Sequence, residues 1–185
     1  MSRKLDYVVS GTSYMRFSNP GIAKDETNSQ IINMLIDKLV TDVHSHKFSM
    51  LYNGHTESSF GDRFTAYKDH VHEIHADSGG LQIVTQGMVI TDELKDKVYE
   101  NQAQWADVGM CFDEIPVVLT GDRSDRNDTK ARFFDFDNYE EMARKTGRNV
   151  KRQLEIFEQN NSTCKPYIIL QGNCVDTYLR WYECL

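Results

Sequence analysis

The chain has 185 residues, enough for one domain with a sizeable buried core, and its apolar and charged fractions of 39% and 26% exclude a disordered chain as the default. No apolar run approaches the roughly 20 residues that a membrane helix needs, and Met1-Ser2-Arg3-Lys4-Leu5-Asp6 lacks the apolar centre of a signal peptide, so a cytoplasmic site is expected. The net charge of −7 has the wrong sign for a surface that grips nucleic acid all over, which leaves a local basic region as the only footing for such a partner.

In chain order, residues 5–10 form an apolar strand closed by Gly11. Residues 29–43 read as a helix, with Ile31, Leu35, Leu39 and Val43 on one face, Ile32, Ile36 and Val40 beside them, and Asn28 or Ser29 as cap. Strands follow at 48–52 and 73–76. Thr91 offers an N-cap with Asp92 and Glu93 in the first turn, opening a helix to residue 104. Residues 108–112 form the next strand, and the Asp/Arg/Asn-rich stretch 120–135 reads as an exposed loop. Asp137-Asn138-Tyr139-Glu140 has capping-box spacing and starts a helix to residue 159, with Gly147 as a weak point. A strand at 167–170 and a helix at 175–185 complete the series.

This alternation predicts an α/β fold with a parallel sheet, built as one domain over residues 1–185. No Gly-x-Gly-x-x-Gly follows the first strand, which weighs against a dinucleotide-binding fold. A parallel (β/α) barrel of TIM type is expected, and an incomplete one: complete barrels usually need about 200 to 250 residues or more. The pattern supplies about half to five-eighths of the eight units of such a barrel.

Three of these strands end alike. Ile74-His75-Ala76 runs into Asp77, Gly109-Met110-Cys111-Phe112 into Asp113-Glu114, and Ile168-Ile169-Leu170 into Gln171-Gly172. One such ending is commonly a turn device, but parallel strands carry their chemistry at their carboxyl ends, where the fold gathers all three. A carboxylate accepts the N1–H and exocyclic amine of guanine together, and a Gln amide can meet its O6. Ser78-Gly79-Gly80 adds a small hydroxyl and two residues without β-carbons, which lets a planar base approach the backbone.

Ala76-Asp77-Ser78-Gly79-Gly80-Leu81-Gln82-Ile83-Val84 resembles the Asp-Ser-Gly-Gly-aromatic-Gln segment of the tRNA-guanine transglycosylases. Trp105-Ala106-Asp107-Val108-Gly109-Met110-Cys111-Phe112-Asp113-Glu114 is similar to their strand ending in Phe-Asp-Glu, and Ile169-Leu170-Gln171-Gly172 follows in order. The similarity covers residues 70–180, with 1–69 only loosely matched. It implies a (β/α)₈ barrel that exchanges a guanine in a polynucleotide for a 7-deazaguanine. By position it makes Asp77 the general acid/base, Asp113 the reader of N1 and the exocyclic amine, and Gln171 the reader of O6. Ser78, Gly79, Gly80, Gln82 and Gly172 complete the base pocket.

The chain departs from that pattern at Leu81, where the family has an aromatic residue, and at Ile115. Nothing corresponds to the family's nucleophilic Asp or to its Cys-x-Cys-x-x-Cys zinc site, so no cofactor is expected in this chain. These departures suit the divergent phage branch that modifies DNA rather than tRNA, acting in a host cytoplasm with a complementing barrel half, a homo-oligomer or another chain. Two further readings stay open: a non-catalytic base-binding or partner subunit, and a fragment of a tRNA-directed, queuosine-type enzyme.

All six histidines lie between residues 44 and 75; His44 and His46 precede the strand at 48, and His70 and His72 precede or open the next, the wrong end for a metal site, so the histidines are expected in the surface or core. Arg144, Lys145, Arg148, Lys151 and Arg152 are expected as a solvated helix face balanced by Glu140, Glu141 and Glu155. Cys111, Cys164, Cys174 and Cys184 contain no Cys-x-x-Cys pair and are expected as reduced thiols.

Overall fold

A computed structural model describes residues 8–10, 48–55, 71–80, 83, 88–119 and 132–185. The helix expected at 29–43, with His44, His46 and His70, lies outside the described residues. Five strands form one parallel sheet in the order β1 (Val8–Ser10), β2 (Phe48–Asn53), β3 (Val71–Asp77), β4 (Val108–Met110) and β7 (Lys165–Tyr167). Spatial order therefore follows chain order, with no reversal of direction along the sheet. Two short strands, β5 (Val117–Leu119) and β6 (Arg132–Phe134), form a separate antiparallel pair between β4 and the following helix. The expected loop at 120–135 is corrected at its end: residues 132–134 pair with 117–119.

Helix α1 spans Asp92–Trp105 and begins as its sequence requires, with the Thr91 hydroxyl accepting from the Leu94 N–H at 3.3 Å. Helix α2 spans Tyr139–Gln159, but the capping box expected at its start does not form, since Asn138 makes no side-chain cap bond. Asp135 holds that corner instead, accepting from the N–H groups of Asp137 and Asn138, each at 3.2 Å. Helix α3 spans Val175–Cys184 and packs on α2 through the fully buried Trp181, whose ring lies edge-on to Tyr139 at 5.1 Å. Gly147, expected as a weak point, packs against the residue that follows α3: a Cβ there would overlap the Leu185 carbonyl oxygen. None of the helices among the described residues is long and apolar enough to cross a membrane.

Strand β7 is displaced from the expected 167–170 to 165–167. It lies at the sheet edge among the described residues, where Pro166 is tolerated. Beyond Tyr167 the chain leaves the sheet, with Ile168 and Leu170 44% and 39% exposed, and this departure brings Gln171 toward the end of β4.

The two faces of the sheet differ. Met50, Tyr52, Ile74 and Ala76 are buried with Val98, Tyr99, Ile156 and Phe157 from α1 and α2 in the main core. Within this core, Gln102 of α1 donates to the carbonyls of Ala76 (3.3 Å) and Met110 (2.8 Å), while Gln153 of α2 donates to Gln102 (2.7 Å) and to the Gly109 carbonyl (3.0 Å). Both helices thus cover the same face. Gly109 is required by this approach, because a Cβ there would sit 2.8 Å from Gln102 Oε1 and 3.0 Å from the Phe157 ring.

Both glutamines are fully buried, so removing Gln102 strands two backbone carbonyls and the partner amide, at about 1–3 kcal/mol for each buried group left unpaired. Gln102→Ala is expected to lower urea-unfolding stability by at least about 2 kcal/mol, against less than about 0.5 kcal/mol for the exposed Gln104→Ala. Equal midpoints for the two variants would remove the amide pair from its structural role.

Candidate base-binding site at the strand ends

Asp77 is the last residue of β3 and stands in register with Asn53 of β2. The β2–β3 seam continues past the strands, with the Gly54 N–H donating to the Asp77 carbonyl at 2.9 Å. The chain then turns sharply. Gly79 has φ +75°, and a Cβ there would lie 2.6 Å from Asn53 Oδ1, so both conformation and space call for glycine. Ser78 is buried, its hydroxyl accepting from the Gly80 N–H at 3.3 Å, and the Gly79 carbonyl accepts from the Ile83 N–H at 3.0 Å. Leu81 and Gln82, the latter expected to line the pocket, lie outside the described residues.

Asp113 follows β4 on a segment pinned from behind. Tyr99 Oη accepts from the Phe112 N–H (3.2 Å), Asn149 Nδ2 donates to the Phe112 carbonyl (2.8 Å), and Thr146 Oγ1 accepts from the Glu114 N–H (2.9 Å). These three bonds hold the backbone on both sides of Asp113 while its carboxylate projects free of them. Gln171 reaches it from the segment after β7, its amide donating to Asp113 Oδ2. The Gln171 carbonyl is met in turn by Tyr139 Oη at 3.0 Å. Gly172 serves the packing of α3: a Cβ there would stand 2.9 Å from Thr177 Oγ1 and from the Tyr178 backbone nitrogen.

The structure therefore brings Asp77, Asp113 and Gln171 to one end of the sheet, with Ser78, Gly79 and Gly80 beside Asp77. Asn53, Tyr99, Tyr139, Thr146 and Asn149 support them, and none was singled out from sequence. Asn53-Gly54 at the end of an apolar strand is the one local signal that had been available. The others are polar residues in helices, whose roles depend on which carbonyl they meet. Among the described residues no group of three His, Cys, Asp or Glu side chains is arranged to hold a metal ion.

Both acids are held above the ordinary carboxylate value of 3.8. For Asp77 burial is the main cause, offset in part by the N–H groups of Gly79 and Ser78. For Asp113 burial again dominates, opposed by the Gln171 amide and its own backbone N–H and reinforced by the negative charges of Asp77 and Glu114. The neighbouring Cys111 is buried and its thiol is pushed up to about 12, which keeps it neutral and unreactive.

Comparisons with protein families, with curated proteins and with solved structures found no match to this chain. The site is accordingly read from its own geometry.

Raised carboxyl pKa values have a definite consequence for stability. The folded state holds protons that the unfolded chain has released, so the stabilisation is complete below 3.8 and is lost as pH rises through the folded-state values. Asp113→Asn, which removes the charge and keeps the shape, is expected to raise urea-unfolding stability at pH 7 and to lose that advantage by pH 3.5. An advantage unchanged across the range would assign the effect to packing instead of charge.

Proposed function

We propose that the strand-end site binds guanine or a 7-deazaguanine and belongs to a base-exchanging transglycosylase acting on a polynucleotide, DNA in preference to tRNA. The pairing of Asp113 with Gln171 carries this reading. A carboxylate acceptor and an amide donor already meet at hydrogen-bond distance, on loops that follow neighbouring strands. A guanine edge inserted between them would exchange one internal bond for several: N1–H and the exocyclic amine to Asp113, and the Gln171 amide to O6. An added Cβ at Gly80 would stand in ordinary contact with the Phe112 ring, at 3.5 Å.

Asp77 suits the proton transfers. Exchange breaks the C1′–N9 bond of the outgoing guanine, which takes up a proton, and forms a C1′–N9 bond to the incoming base, which gives one up. A carboxyl whose proton affinity is raised by burial is suited to supply the first proton and recover the second, leaving no net change at Asp77. A nucleophile that holds C1′ between the two steps is not assigned to any described residue, and we place it on the complementing half of the fold.

The proposed architecture is an incomplete (β/α)₈ barrel. Consecutive parallel strands in chain order suit one arc of a barrel better than a doubly wound sheet, which reverses order. A second reading, a base-binding subunit without its own catalysis, rests on the same pocket and differs only in exchange.

Calorimetric titration of guanine into the chain tests the proposal. Binding is expected, and Asp113→Asn should weaken it by about 10- to 100-fold, as befits loss of hydrogen bonds to a charged acceptor. Asp77→Asn should bind guanine yet fail in labelled-guanine exchange once the complementing half is supplied. No guanine binding, or binding indifferent to Asp113→Asn, would defeat the base-pocket reading.

A further inference from the structure

A cleft of about 640 Å³ opens between α1 and α2 on the far side of Glu114, the residue next to Asp113. Lys95, Lys145, Arg148 and Arg152 line it against Asp92, Asp96 and Glu114, giving local positive excess on a chain whose net charge is −7. Two of these cations are already neutralised. Arg152 grips Asp96 with two bonds of 2.9 and 2.7 Å, and Arg148 pairs with Glu141 at 2.9 Å.

The other two cations are less well matched. The Lys95 side chain is only 16% exposed, and its carboxylate neighbour Asp92 is 3.4 Å away and 93% exposed, a weak partner, while Asp96, whose charge it also feels, is gripped by Arg152. Its nearer contact is neutral, the Asn149 Oδ1 at 2.9 Å. Lys145 forms no ion pair among the described residues. Lys95, whose firmest contact is a neutral amide, and the exposed Lys145, whose charge meets only that of Glu141 on its own helix, stand on the wall of one cleft, where an anion would find both. The Lys95–Asn149–Phe112 chain of bonds ties that wall to the backbone that carries Asp113.

We infer that this cleft seats a phosphodiester group of the strand whose base enters the Asp77–Asp113 site, with Lys95 and Lys145 as its contacts. This assignment rests on the base-pocket reading and extends it to the polynucleotide backbone. Glu114, next to Asp113 in the chain, also lines the cleft, and its charge opposes an anion beside it, so the phosphate sits against the Lys95 and Lys145 side.

Anisotropy of a labelled single-stranded oligonucleotide, measured across salt concentrations, tests the assignment. Lys145→Gln and Lys95→Gln are each expected to weaken binding and to lower the slope of log affinity against log salt by about 1. Lys151→Gln, an equal charge loss on the same helix but outside the cleft, should leave the slope unchanged. Equal effects at 145 and 151, or no effect at 145 and 95, overturn the assignment. So does binding of inorganic phosphate that depends on Lys145 in a chain that binds no oligonucleotide. Guanine calorimetry on the same variants separates the two readings. Guanine binding kept, with neutral cleft variants, defeats the cleft alone; guanine binding absent from the unaltered chain defeats the base pocket.

Discussion

The buried amide pair of Gln102 and Gln153 is the contact on which the rest of the arrangement depends. Two helices and two strands meet there, and the carbonyls of Ala76, Gly109 and Met110 each find a side-chain donor in place of water. Parallel strands ordinarily finish their ladders within a residue or two of such positions, leaving carbonyls that a purely apolar helix face would strand. Glutamine solves this with a donor and an acceptor on a stem long enough to reach from the helix. The result fixes where β3 and β4 end, and hence where Asp77 and Asp113 begin.

Holding the backbone from the helix side leaves the opposite side free to be unfavourable on its own account. Asp77 and Asp113 are two partly buried acids, and the charge of Asp77 adds to the effect of burial at Asp113, an arrangement that costs stability at neutral pH. The supports behind them, Tyr99, Thr146 and Asn149, bond to backbone and make no use of the carboxylates. The carboxylates are thus placed by the fold without being consumed by it, and Gln171 satisfies only one oxygen of Asp113. A site that binds through its acids needs this division between the groups that build and the groups that receive.

Much of this was legible in the residues because it is local. Thr91 followed by two acids marks the start of α1 for electrostatic reasons that need no tertiary partner, and the apolar runs mark β2, β3 and β4 within a residue or two. The convergence of Asp77 and Asp113 followed from strand direction, and the segment after β7 completes it by carrying Gln171 to Asp113. What escaped was decided at a distance. Gln102, Thr146, Asn149 and Gln153 are polar residues within helical stretches that nothing local marks for burial, yet all four are buried because strand-end backbone groups lie opposite. Residues 167–170 carry a strand pattern, yet pairing stops at Tyr167, because the chain must leave the sheet for Gln171 to reach Asp113. Asp135, read as the end of a loop, instead anchors the start of α2.

The orientation of Asp77 is itself a product of the core. Along β3 the side chains alternate, with Ile74 and Ala76 buried beneath α1 while Glu73, His75 and Asp77 fall on the other face. Register carries that alternation across the sheet: Tyr52, Ala76 and Gly109 share the helix side, and Asn53 and Asp77 share the open one. A slip of one residue in β3 would bury a carboxylate under Gln102 and turn Ala76 outward. The small size of Ala76 and the missing side chain of Gly109, which admit Gln102 to the strand backbone, therefore also determine which face the acid presents. The position of the proposed proton carrier is set less by its own bonds than by two small neighbours that face away from it.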